Sequence, residues 1–90
     1  MCSSLAGAYG NYATVSVTGN IFKGQWNRHV ANRPDFHGTI TSPCKGTVSF
    51  PDDRVYSFDF EASNCHIYWD SRSSGNKWIK SNCGQRKFRC

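Results

Sequence analysis

Ninety residues, 38% of them hydrophobic and 14% aromatic, make one small domain, too apolar and aromatic to be disordered. Length excludes a two-domain enzyme or a doubly wound nucleotide-binding fold, and no stretch approaches the roughly 18 apolar residues of a membrane span. The net charge of +5 is uneven: residues 35–70 hold all six acids and only Lys45 and Arg54 as bases, while residues 1–34 and 71–90 carry bases and no acid.

Period two runs through the chain, and no window sustains a helical apolar repeat. Tyr12–Thr18 alternates, with Ala13, Val15 and Val17 on one face, and Gly19-Asn20 makes a turn. Ile21–Trp26 continues as a ribbon interrupted at Gly24. Residues 27–36 read as a loop, because Pro34 excludes a central strand. Gly38–Ser42 is a short strand around Ile40, stopped by Pro43. Gly46–Phe50 alternates again, Pro51-Asp52-Asp53-Arg54 is a strong turn, and Val55–Glu61 returns with Tyr56, Phe58 and Phe60 on one face. His66–Asp70 places Ile67 and Trp69 together, Lys77–Ser81 holds Trp78 and Ile79, and the tail Asn82–Cys90 is polar and basic. The result is six or seven short antiparallel strands in a small all-β sandwich or barrel. The expected core is Val15, Val17, Ile40, Val48, Phe50, Tyr56, Phe58, Phe60, Ile67, Trp69 and Trp78.

Cys2, Cys44, Cys65, Cys83 and Cys90 are widely spaced, with no Cys-x-x-Cys pair. In so short a chain this reads as the disulfide framework of a secreted protein, and the odd count leaves at least one thiol over or pairing between chains. Met1 directly before Cys2 reads as an initiator methionine added to a mature secreted chain.

For chemistry, Asp59 and Glu61 share the outward face of one strand and His66 opens the next. These three could meet as an acid–base set of ribonuclease type, but a solvated strand face explains them as well, and no enzyme is expected. Adjacent Cys65 and His66 point to opposite faces, so no metal or other cofactor is expected. Tyr12, Trp26, Tyr68 and Trp78, with Arg72, Lys77 and Lys80 nearby, could stack on single-stranded nucleic acid. Aromatics in a sheet more often fill a core, so nucleic acid stands behind protein as the expected partner. A cationic membrane-active role lacks its amphipathic helix. If the first and last strands pair, the two basic ends merge into one face suited to an acidic partner. Its candidate contacts are Lys77, Lys80, Arg86, Lys87 and Arg89, with Trp26 and Arg28 from the segment before them.

The order of cysteines and strands resembles the MAX effectors, small secreted proteins of plant-pathogenic fungi that include the ToxB toxins. The residues that carry the resemblance are Cys2 ahead of the first clear strand, Cys44 ahead of Gly46–Phe50, the run Val55–Cys65 with Asn64-Cys65 before the next strand, and Arg89-Cys90 at the end. Against that pattern residues 20–37 stand as a loop or hairpin insertion, and Cys83 has no counterpart. The resemblance implies a single domain over residues 1–90, a disulfide-stabilised sandwich of six or seven antiparallel strands in two three-stranded sheets. It fits a Cys2–Cys65 bridge, with Cys44 pairing to Cys90 or, as second choice, Cys83. It also implies a monomeric, non-enzymatic effector, secreted and delivered to the host cytoplasm. Such a protein binds a host plant protein, for instance a metal-chaperone-like domain or an immune receptor. The alternative is a secreted ribonuclease-like or nucleic-acid-binding toxin.

Overall fold

The computed structural model describes residues 3–81. A 3-10 turn, Ser3–Leu5, leads into eight strands: β1 (Gly7–Tyr9), β2 (Ala13–Thr18), β3 (Ile21–Trp26), β4 (Phe36–Ser42), β5 (Lys45–Ser49), β6 (Val55–Glu61), β7 (His66–Trp69) and β8 (Lys77–Ile79). Each strand pairs antiparallel with its neighbour in the chain, in the order β1 to β8. The ends then meet: Tyr9 bridges Lys80, and the Ser81 amide donates to the Ala8 carbonyl at 2.8 Å. The domain is one nearly closed, barrel-like sheet.

This corrects the expected pair of three-stranded sheets. Strands joined by tight hairpins must pair with each other, and a sheet that never breaks its pairing either leaves two edges or closes on itself. Gly19-Asn20 is a two-residue hairpin, with Thr18 facing Ile21 and Gly19 at φ 61°. That is the first central position of a II′ turn, which glycine fills without strain. Pro43-Cys44 makes the next tight turn, with Cys44 at φ 62°, the left-handed second central position of a type II turn after proline. The expected insertion at 20–37 holds β3, a loop over residues 27–35 and the opening of β4, and both strands are paired on both sides. Strand β1 is three residues long and shows no period in sequence.

Alternation decides what lies inside. Strand β3 turns Phe22, Gly24 and Trp26 inward and Ile21, Lys23 and Gln25 outward. Strand β6 buries Phe58 and Phe60, and β7 buries Ile67 and Trp69. The core contains Val15, Ile40, Val48, Phe50, Phe58, Phe60, Ile67 and Trp69 as expected, with Val17, Tyr56 and Trp78 packed half-buried against it. It also takes in Leu5, Tyr9, Ala13, Phe22, Trp26 and Phe36. Tyr9 is fully buried and donates its hydroxyl to the Leu5 carbonyl, and burial pushes its phenol far above the ordinary tyrosine range.

Cys44 and Cys65 are each disulfide-bonded. The expected partners Cys2 and Cys90, and Cys83, lie outside the described residues.

Candidate functional site at the barrel mouth

An up-and-down barrel gathers alternate loops at one end. Here these are the β1–β2 turn, the β3–β4 loop, the β5–β6 turn and the β7–β8 loop. They are cross-tied in sequence. The Asn27 amide donates to Tyr12 O at 2.6 Å, and Asn27 Nδ2 donates to Asn11 O at 2.8 Å. Arg33 clamps Asp52 through Nε and Nη2, at 2.7 and 2.8 Å. Arg54 reaches Asp70 with Nη2 at 2.9 Å. Within the longest of these loops Arg28 donates to the Arg33 carbonyl at 2.7 Å and pairs with Asp35 at 3.4 Å. Each ion pair is partly exposed and worth little alone. Together they fix four loops relative to one another, which a preformed binding site requires.

Inside this rim lies a cavity of about 180 Å³. Its walls are Trp26, Phe50, Tyr56, Trp69 and Trp78. Trp78 is the hub: its ring lies 4.9 Å from Trp69 at 72° and 5.6 Å from Trp26 at 71°. These edge-to-face angles suit aromatic quadrupoles and give the cavity the form of a cup. The Arg33 guanidinium roofs one wall, 4.1 Å from the Trp26 ring centre, and the Arg54 guanidinium lies 3.8 Å from that of Tyr56. Three polar side chains line the opening: Arg33, Asp53 and Asn76. Asp53 accepts the Tyr56 hydroxyl at 2.7 Å and has no ion pair among the described residues. That bond is the largest cause of the raised Tyr56 phenol, since it holds the proton in place. The Asp52 carboxyl is held below its ordinary range, first by the Arg33 hydrogen bond.

Two atoms here stand out. Trp26 Nε1 and Trp69 Nε1 are buried and have no hydrogen-bond partner. A buried donor left unpaired costs on the order of 1–3 kcal/mol, and the great majority of such groups in folded proteins are satisfied. Both indoles line the same cavity.

The expected acid–base trio also assembles, on the outer wall. Glu61 faces His66 across the β6–β7 pair, and Tyr68 links them, with its hydroxyl 3.1 Å from His66 Nδ1 and donating to Glu61 Oε1 at 3.0 Å. Arg72 spans Asp59 at 2.9 Å and Glu61 at 3.2 Å. Asp59 is held below its ordinary range chiefly by the Arg72 hydrogen bond, and Glu61 chiefly by bonds from Asn64 and then Tyr68. The cluster is largely answered from within: one arginine spans two carboxylates, Lys45 faces Asp59 across the β5–β6 pair, and neither carboxyl is raised to act as an acid. No group of three or more His, Cys, Asp or Glu side chains among the described residues is placed to hold a metal ion.

Of the expected basic face, Lys77, Lys80, Trp26 and Arg28 fall among the described residues. Lys77 is exposed on the outer wall, whereas Lys80 is half-buried at the seam and donates to Ser4 O at 2.7 Å. Trp26 is a buried wall of the cavity, and Arg28 braces the loop beside it. Arg86, Lys87 and Arg89 lie outside the described residues. Among the described residues, Trp26 and Trp78 converge at the mouth. Sequence reading missed the mouth as a site, although one signal was there. Trp26, Phe50 and Trp69 each end an inward run directly before Asn27, Pro51 and Asp70, so three aromatic stops mark one end of the sheet.

Neither a family model, nor a curated protein, nor a solved structure matches this chain.

Proposed function

We propose that this chain is a non-enzymatic binding protein whose recognition centre is the aromatic mouth of the barrel. The observation that carries this reading is the cavity itself: aromatic walls with a few polar groups at the opening, held by four cross-tied loops. Concave apolar sites with a few placed polar groups are where small barrels take ligands. Among the described residues, the histidines stand away from the cavity lining, which supports binding over turnover at the mouth. Among the described residues His29 lies exposed on the β3–β4 loop, His37 is exposed on β4, and His66 sits in the self-neutralised outer cluster. The setting comes from the sequence. Cysteine usage and the resemblance to the MAX effectors support a secreted fungal effector that acts on a host plant partner.

The test compares two double variants against host extract separated into protein and polysaccharide fractions. Asp53→Ala with Asn76→Ala alters the mouth, and Lys77→Glu with Arg72→Glu alters the outer wall. Binding that is lost with the first and kept with the second supports the mouth. Binding kept with the first overturns it, and cleavage of RNA by the unmodified protein overturns the non-enzymatic reading.

A further inference from the structure

Charge at the mouth follows a pattern of rings and carboxylates. The Arg33 guanidinium lies over Trp26 and is matched by Asp52, and the Arg54 guanidinium lies over Tyr56 and is matched by Asp70. Trp78 and Asp53 line the same cavity, yet among the described residues no guanidinium lies over Trp78 and no cation forms an ion pair with Asp53. At the rim, Asp52, Asp53 and Asp70 therefore outnumber Arg33 and Arg54, and negative charge is in excess. Both unmatched groups are within reach of a ligand: Asp53 is exposed and Trp78 half-buried, whereas Trp26, Phe50 and Trp69 are buried.

The excess selects the ligand's charge, and the cavity selects its form. An anion meets the surplus carboxylate, and a neutral apolar group strips water from Asp53 without answering it. A guanidinium presents a fork that asks for both carboxylate oxygens, and Asp53 Oδ2 already accepts the Tyr56 hydroxyl at 2.7 Å. A bare ammonium is compact and strongly hydrated, while a cavity of about 180 Å³ has room for roughly six waters. A methylated ammonium meets each condition. Its charge is spread over methyl groups that pack on aromatic rings, it fills more of the cavity, and it needs only a carboxylate nearby. Resting on the proposed mouth site, we infer that its occupant is a trimethylammonium group, carried by a small molecule or by a lysine side chain. Trp78 is its ring and Asp53 its counter-charge.

The experiment is an NMR titration of the full chain at constant ionic strength. The probes are tetramethylammonium, choline and a short peptide carrying trimethyllysine. The controls are methylguanidinium and neohexyl alcohol, the uncharged isostere of choline. The chain has three tryptophans, so the indole signal of Trp78 can be assigned from Trp78→Phe. The inference expects the trimethylammonium probes to move that signal saturably at millimolar concentration, and both controls to bind at least about fivefold more weakly. Asp53→Asn, at an exposed position, removes the charge and keeps the shape, and should weaken the binding about fivefold, the reach of a partly exposed charge pair. Lys23→Ala, exposed on β3, should leave it unchanged. Tighter binding of choline than of the peptide assigns the group to a small molecule, and the reverse assigns it to a protein; either supports the inference. Probes that leave the Trp78 signal in place overturn it, as does neohexyl alcohol binding as tightly as choline, or binding unchanged in Asp53→Asn. The mouth then stands or falls separately: it stands if the Asp53→Ala, Asn76→Ala double variant loses binding to host extract, and falls with the inference if that binding is kept.

Discussion

The edge of the Phe36 ring occupies the space where Gly24 would carry a side chain. A Cβ built on Gly24 would overlap Cε2 and Cζ of that ring, far inside van der Waals contact. Phe36 has nowhere to retreat: it is stacked on Phe50 at 4.7 Å and flanked by Trp26 at 5.1 Å, Trp78 at 5.8 Å and Phe22 at 6.2 Å. The glycine is therefore part of the aromatic packing beneath the mouth. Gly24→Ala should destabilise the domain by about 1–3 kcal/mol through overpacking, read as a lowered midpoint in urea. Adding Phe36→Leu should recover part of that loss, a coupling expected of residues in contact. A Gly24→Ala protein as stable as the parent would mean that the ring is not held there.

Phe58 tests the other half of the core. It is 3% exposed and lies 5.2 Å from Phe22 and 6.2 Å from Trp69, ring centre to ring centre. Phe58→Ala removes most of a buried aromatic side chain and should cost about 3–5 kcal/mol. A domain of this size has little more than that in total, so the variant should be largely unfolded at moderate urea. A melt within a few degrees of the parent would assign Phe58 to the outward face.

Strand β6 was legible because Tyr56, Phe58 and Phe60 alternate with Ser57, Asp59 and Glu61 in seven uninterrupted residues. Strand β3 was blurred for two reasons. Its middle inward position is a glycine, and the outward Ile21 is 40% exposed, so hydropathy reports the wrong face at both places. Phe36 was hidden by Pro34, which ends the loop but does not forbid a strand two residues later. Closure entered only as a condition, the pairing of first and last strands, because it depends on Tyr9 meeting Lys80 from opposite ends of the described chain. The mouth follows from closure: its residues come from β3, β6, β7, β8 and the loops between strands, and only topology brings them together. The outer-wall trio was readable because neighbouring strands and a known inward face place Glu61 opposite His66.

The bridges are open to direct measurement. Cys44 and Cys65 both carry disulfides, and we expect Cys65 to pair with Cys2 and Cys44 with Cys90. A loop of about 64 residues closed by the first bridge is worth roughly 4 kcal/mol in the chain-entropy model. Peptide mapping of the non-reduced protein should recover the segment containing Cys65 joined to the N-terminal peptide. A native protein in which Cys2 is reduced overturns that pairing.

Acid should unfold the barrel through its carboxylates. Asp52, Asp59 and Glu61 are all held below their ordinary values in the folded state, by Arg33, by Arg72, and by Asn64 with Tyr68. A carboxylate lowered on folding stabilises the fold fully above its unfolded pKa, about 3.9 for aspartate and 4.3 for glutamate. That contribution is lost as the pH falls through the lower folded value, since the unfolded chain then binds the proton first. Urea midpoints should therefore be level between about pH 6 and 8 as far as these groups are concerned, and should fall as the pH drops below about 4. Asp52→Asn and Asp59→Asn should each flatten the acid limb without moving the neutral plateau much, because both ion pairs are partly exposed and screened by water. Screening also makes the limb sensitive to salt, with half-molar sodium chloride reducing its steepness. Stability that stays constant into strong acid would show that these carboxylates are not held below their unfolded values. A limb unchanged in both asparagine variants would assign the acid sensitivity to other groups.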